Sequence, residues 1–179
     1  MAKRILLHLT GSVACFKAAA LASMLVKDGY EVQATATERA LRFIGPATFE
    51  GITGRPVLTD MFAGRPDFIP HITLAQEWAD LLLVYPASAN CIARLAAGLA
   101  DDLFGAIFLA NNFQRPVWLA PAMNTQMYLH PATQRNLKVL EEWGVVILAP
   151  VEGRLACGTV GTGKLADPEL VFQKIKEEL

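Results

Sequence analysis

The chain is poor in charge and in cysteine. Only 18% of its 179 residues are charged, 53% are hydrophobic, and acids and bases nearly cancel to a net charge of −1. So even a balance offers no broad attraction for nucleic acid or an anionic membrane surface. The three cysteines, Cys15, Cys91 and Cys157, are odd in number and far apart. That spacing suits neither a disulfide framework nor a zinc site, and it points to a reducing compartment, the cytoplasm. No apolar run reaches the length of a bilayer span. The opening MAKRILLHLTGSV has a basic pair followed by apolar residues, but it alternates like a strand and breaks at Thr10-Gly11, so a strand and not a signal peptide is expected there. Neither G-x-G-x-x-G nor G-x-x-x-x-G-K-[ST] occurs, so the common dinucleotide and P-loop readings fail. Repeats, low-complexity tracts and linkers are absent as well.

What is present is an alternation of strand-like and helical runs. Strands are expected at residues 4–10, 30–36, 80–85, 116–120 and 145–149, with a short one near 56–58. Helices are expected at residues 13–28, 46–53, 71–78, 91–98, 103–110 and 131–143, and from Leu170 to the C-terminus behind the Asp167-Pro168-Glu169 start signal. Pro86 is expected to stop the third main strand, and residues 154–164 to form a glycine-rich mobile flap. This pattern predicts one α/β domain over residues 1–179, a Rossmann-like parallel sheet with helices on both faces. The apolar fraction is high enough to suggest buried subunit contacts and hence a homo-oligomer.

In such sheets ligands lie beyond the carboxyl ends of the strands, and the chemistry-bearing residues cluster there. Gly11-Ser12 opens a helix whose free N–H groups can hold phosphate, or it is a plain strand-to-helix turn. Thr35 and Thr37 offer hydroxyls at the second strand end, with Thr37 equally able to cap a helix. Ser88 and Asn90 follow the most apolar strand, where Ser88 is also a natural N-cap. Asn124, in Pro121-Ala122-Met123-Asn124, can bind a carboxylate or simply turn the chain. His71 begins a helix and can take a proton near a ligand, or sit there as a surface histidine. Cys157 lies in the glycine-rich segment, which makes it a poor core filler, and Lys164 beyond it can attract an anion. His8, inside a strand, and His130, before a proline, receive no role.

Taken together, GSVACFK, HITLAQEWADLLLVYPASAN, ARLAAGLADDL, PAMNTQMY and LACGTVGTGKLADPE resemble the homo-oligomeric flavin-containing cysteine decarboxylases, in that family's order and over nearly the whole chain. The resemblance covers one decarboxylase domain, with no synthetase half expected after it. It implies FMN, with the phosphate at Gly11, Ser12, Val13, Thr35 and Thr37. Ser88, Ala89, Asn90, Cys91 and Ala122 would line the rest of the flavin. Two departures stand out. Cys91 replaces a common Thr, and Lys164 replaces a common Arg, keeping the charge but losing the two-pronged geometry.

The implied reaction is decarboxylation of 4′-phosphopantothenoylcysteine to 4′-phosphopantetheine in coenzyme A biosynthesis. Loss of CO2 from an acylated cysteine leaves a carbanion with no electron sink, and the blocked amine cannot form a Schiff base. Oxidising the thiol to a thioaldehyde creates the sink, with FMN taking the hydride, and re-reduction follows CO2 loss. The family pattern then makes His71 catalytic in oxidation and decarboxylation, sets Asn124 on the substrate carboxylate, and uses Cys157 in the reductive half. Met123, Ala156 and Lys164 become further substrate contacts. The assembly implied is a trimer or a dodecamer built from trimers, with His71 reaching a neighbour's site. The alternatives are a peptidyl-cysteine decarboxylase of peptide-antibiotic maturation and a non-catalytic flavin-binding regulatory protein.

Overall fold

The computed structural model describes residues 2–62, 68–156, 158 and 160–179. Its centre is a parallel sheet of β1 (Arg4–Leu9), β2 (Glu31–Ala36), β3 (Leu81–Ala87), β4 (Val117–Pro121) and β5 (Val146–Ile147), in the order β2-β1-β3-β4-β5. Strands β1 and β3 are near-continuous apolar runs, which is what a strand covered on both faces requires. The two-residue period divides β1 between two cores. Ile5, Leu7 and Leu9 pack with buried residues of α1 (Cys15–Lys27) and α8 (Pro168–Glu178). Leu6 packs on the other face with α4 (Ala89–Ala96), α5 (Leu103–Asn111) and α7 (Pro131–Glu142). The remaining helices are α2 (Pro46–Thr53), α3 (Pro70–Ile72), which runs into a π-helical stretch at Thr73–Trp78, α6 (Thr125–Leu129) and a 3-10 turn at Ala40–Arg42. Among the described residues no helix is long and apolar enough to cross a membrane.

Several expectations need correction. Strand β3 does not stop at Pro86 but runs on to Ala87. Proline has no N–H for the ladder, and the register shifts between Val84 and Ala87, so pairing with β4 steps around it. The short strand near residues 56–58 is a single bridge, Thr35 to Leu58. The strand expected over 145–149 shrinks to the two residues of β5 and is not the last. Residues 154–164 are not a plain loop. Strands β6 (Val151–Arg154) and β7 (Val160–Lys164) pair antiparallel as a hairpin outside the main sheet. Helix α6, five residues long, is not among the helices the sequence pattern predicts.

Candidate functional site

The chain leaves β1 to form β2 on one side and returns to place β3 on the other. At such a switch point the connections diverge and leave a crevice above the strand ends. Thr10 fixes its two lips. Its hydroxyl donates to the Pro86 carbonyl at 2.7 Å and accepts from the Ser88 N–H at 2.8 Å. Ser88 in turn caps α4, its Oγ accepting from the Cys91 N–H at 3.3 Å.

The crevice is a cleft of about 650 Å³, within the range of small-molecule and cofactor sites. Of the residues expected to hold a cofactor, Gly11, Thr35, Thr37, Ser88, Ala89, Asn90 and Cys91 line it. Ser12, Val13 and Ala122 do not line it. Ser12 Oγ accepts from the Ala14 N–H at 3.2 Å, and Ala122 is buried, with its N–H on the Ala87 carbonyl at 3.0 Å. The cleft also contains two residues that sequence reasoning passed over, His8 and Thr10. His8 is buried, its Nδ1 is 2.9 Å from Thr35 Oγ1, and its ring stacks on Phe104 at 4.2 Å between centroids. Burial lowers its pKa to about 3, so the ring is neutral.

Electrostatics make the wall beside α4 unreactive. Burial pushes the Cys91 thiol up to about 12, with Asp102 adding to the effect and Arg94 opposing it. Cys91 is therefore a protonated, weakly polar wall and not a nucleophile. Arg94 pairs with both Asp101 and Asp102, and its hydrogen bond holds the Asp101 carboxyl below the usual range.

A second group of expected residues gathers at the hairpin. The Met123 N–H donates to the Gly163 carbonyl at 3.0 Å. Asn124 caps α6, its Oδ1 accepting from the Gln126 N–H at 2.8 Å. The glycines of β7 have a steric reason. A Cβ at Gly161 would lie 2.5 Å from Thr125 Oγ1, and one at Gly163 would lie 2.3 Å from the Met123 carbonyl oxygen. Lys164 ends this strand, and the exposed Ala156 lies in the turn before it. Helix α6 links the two places, since Met127 reaches the cleft. His71, on α3, does not line the cleft, and its Nδ1 is sealed from solvent without a hydrogen-bond partner among the described residues. Cys157 lies outside the described residues.

The residues present suit the FMN that the sequence implies. Gly11 lets the turn into α1 pack closely on the segment after β2, since a Cβ there would meet Arg39 Cβ at 2.9 Å. Gly11 also lines the cleft, so a phosphate there would meet the start of α1, where a helix N-terminus favours an anion. The Thr37 and Ser88 hydroxyls, which line the cleft, would supply polar contacts, and the small Ala89 and Cys91 would leave room for a flat ring.

Comparison with known proteins agrees with this geometry. The Flavoprotein family model matches residues 1–179. A Streptococcus mutans protein, named as a probable phosphopantothenoylcysteine decarboxylase, is 44% identical over 180 residues, covering 100% of both chains. The coenzyme A biosynthesis bifunctional protein CoaBC of Bacillus subtilis is 47% identical over 172 residues, but the match spans only 42% of that longer protein. Among solved structures, a PPC decarboxylase mutant complexed with pantothenoylaminoethenethiol superposes with a TM-score of 0.90 at 34% identity, covering 99% of this chain and 98% of that one. The FMN-binding protein AtHal3 gives a TM-score of 0.87, also at 34% identity, over 99% and 96% of the two chains. A β2-β1-β3-β4-β5 sheet with its cleft at the β1–β3 switch point, matched from end to end by one family model, means that the chain belongs to the Flavoprotein family, alongside the phosphopantothenoylcysteine decarboxylases.

Proposed function

We propose that the chain is an FMN-dependent carboxy-lyase that converts 4′-phosphopantothenoylcysteine to 4′-phosphopantetheine, in the cytoplasm, for coenzyme A biosynthesis. The observation that carries this reading is the 44% identity to the Streptococcus mutans protein over the full length of both chains. The switch-point cleft supports it independently of any name.

FMN, when bound, supplies an acceptor for the hydride that leaves the substrate's thiol-bearing carbon. The protein's own residues do the rest. Gly11 and the start of α1 hold the phosphate, and residues 88–91 hold the ring. Asn124, fixed at the N-terminus of α6 just beyond β4, presents its amide to the substrate carboxylate and orients the bond that breaks. Lys164 attracts the anionic end of the substrate. His71 serves the oxidation and decarboxylation half, and Cys157 gives a proton in the reductive half.

His71 lines no part of the cleft of its own chain. This supports an assembly in which His71 completes a neighbour's site, and a trimer or a cluster of trimers is the arrangement proposed. The test is product analysis by mass spectrometry after mixing the purified protein with FMN and 4′-phosphopantothenoylcysteine. Loss of one CO2 with no net change in hydrogens is expected. A product that stops at the enethiol would transfer the assignment to the peptidyl-cysteine type, and binding of FMN without turnover would make this a flavin-binding protein only.

A further inference from the structure

His8 stands on the floor of the cleft, and the reaction proposed above leaves it without a task. It is 3% exposed. In β1 it pairs with Thr35 of β2 on one side and Val84 of β3 on the other, so it lies directly beneath the switch point. Two contacts fix the ring, the stack on Phe104 with planes 8° apart and the Thr35 hydroxyl at Nδ1. Nε2 makes no hydrogen bond with the described residues and is not among their sealed, partnerless atoms. As the residue lines the cleft and is otherwise enclosed, Nε2 opens on the cleft.

The chemistry of that nitrogen selects its ligand. With the ring neutral, it brings no charge to a phosphate. A neutral imidazole nitrogen donates in one tautomer and accepts in the other, and a hydroxyl can answer either. Gly11, expected at the phosphate, and residues 88–91, expected at the ring, line the same cleft as His8, and the chain that would join phosphate to ring lies between those two ends. We propose that His8 Nε2 hydrogen-bonds a hydroxyl of the polyol chain of the bound flavin nucleotide, with Thr35 as the residue that positions the imidazole. This inference rests on the FMN reading above.

The test uses the whole chain, stripped of flavin and titrated with FMN, riboflavin and lumiflavin, the last having the ring but no polyol chain. His8→Phe keeps a flat ring against Phe104 and removes the nitrogen. It should weaken FMN and riboflavin roughly 5- to 150-fold, the range for leaving one buried polar group without its partner, and leave lumiflavin unchanged. A second measurement on the wild-type chain avoids any doubt about folding. The ¹⁵N resonance of His8 Nε2 should move when FMN or riboflavin is added. An unmoved resonance, an equal loss for all three ligands, or no loss for FMN would each overturn the proposal. If the wild-type chain takes up no flavin at all, the cofactor reading itself fails. If it binds FMN and His8→Phe binds it equally well, only this inference does.

Discussion

At the scale of the residue, one hydroxyl holds both lips of the cleft. Thr10→Val keeps the shape of the side chain but removes its bonds to Pro86 and Ser88. A buried N–H and carbonyl then lose their partner, which costs about 1–3 kcal/mol. The urea midpoint should fall accordingly and FMN should dissociate faster, while Thr10→Ser should restore both. His8 gives a pH prediction. Its folded pKa of about 3 lies below the unfolded value of 6.5. Between those values the unfolded chain holds a proton that the folded one refuses, so this contribution to stability is intact above pH 6.5 and is lost as the pH falls. The slope is at most about 1.4 kcal/mol per pH unit. Denaturant titrations across that window should show His8→Phe with the shallower dependence; equal slopes would mean the ring does not titrate as described. Neither residue was singled out from the sequence, for a physical reason. Thr10 acts through Ser88, 78 positions away, and His8 through Phe104 on another element. By contrast, Gly11, Ser88 and Asn90 were legible because strand ends and helix starts leave local marks.

At the scale of the element, the β6–β7 hairpin is where sequence and structure part most. Glycine density suggests mobility, and at Gly161 and Gly163 it also marks close approach to residues 123–125. Composition cannot distinguish a glycine that lets the chain move from one that lets two chains touch. Gly163 also has φ +132, a conformation that strains any L side chain. Gly163→Ala should therefore lift the hairpin from the Asn124 turn. The expected result is a loss of kcat/KM of roughly tenfold or more, about 1.4 kcal/mol or more of transition-state stabilisation. The thermal midpoint of the sheet should change little, since among the described residues β6 and β7 pair only with each other. Unchanged kinetics would show that the contact is incidental. The parallel sheet itself was readable from apolar runs such as LLLVY. The passage of β3 through Pro86 was not, because it depends on the register shift against β4.

At the scale of the whole molecule, the chain exposes Phe16, Phe62 and Leu129, each more than half accessible, and leaves His71 away from the cleft. Light scattering should give a mass above the monomer, and a fully active monomer would refute the proposed assembly. A sharper test mixes two inactive variants, His71→Asn and Asn124→Asp. If each site draws these residues from different subunits, reassembled mixtures regain activity that neither parent has; if both act within one chain, the mixture stays dead. The separate hairpin has a consequence for the order in which the molecule comes apart. A two-stranded ribbon on its own is only marginally stable in water, and this one leans on the body through contacts at Met123 and Thr125. Its amides should trade hydrogen for deuterium by a local opening long before those of β1 or β3, which exchange only on global unfolding. Substrate held beneath it would slow that exchange, making the hairpin a built-in reporter of occupancy that can be read without following the reaction at all.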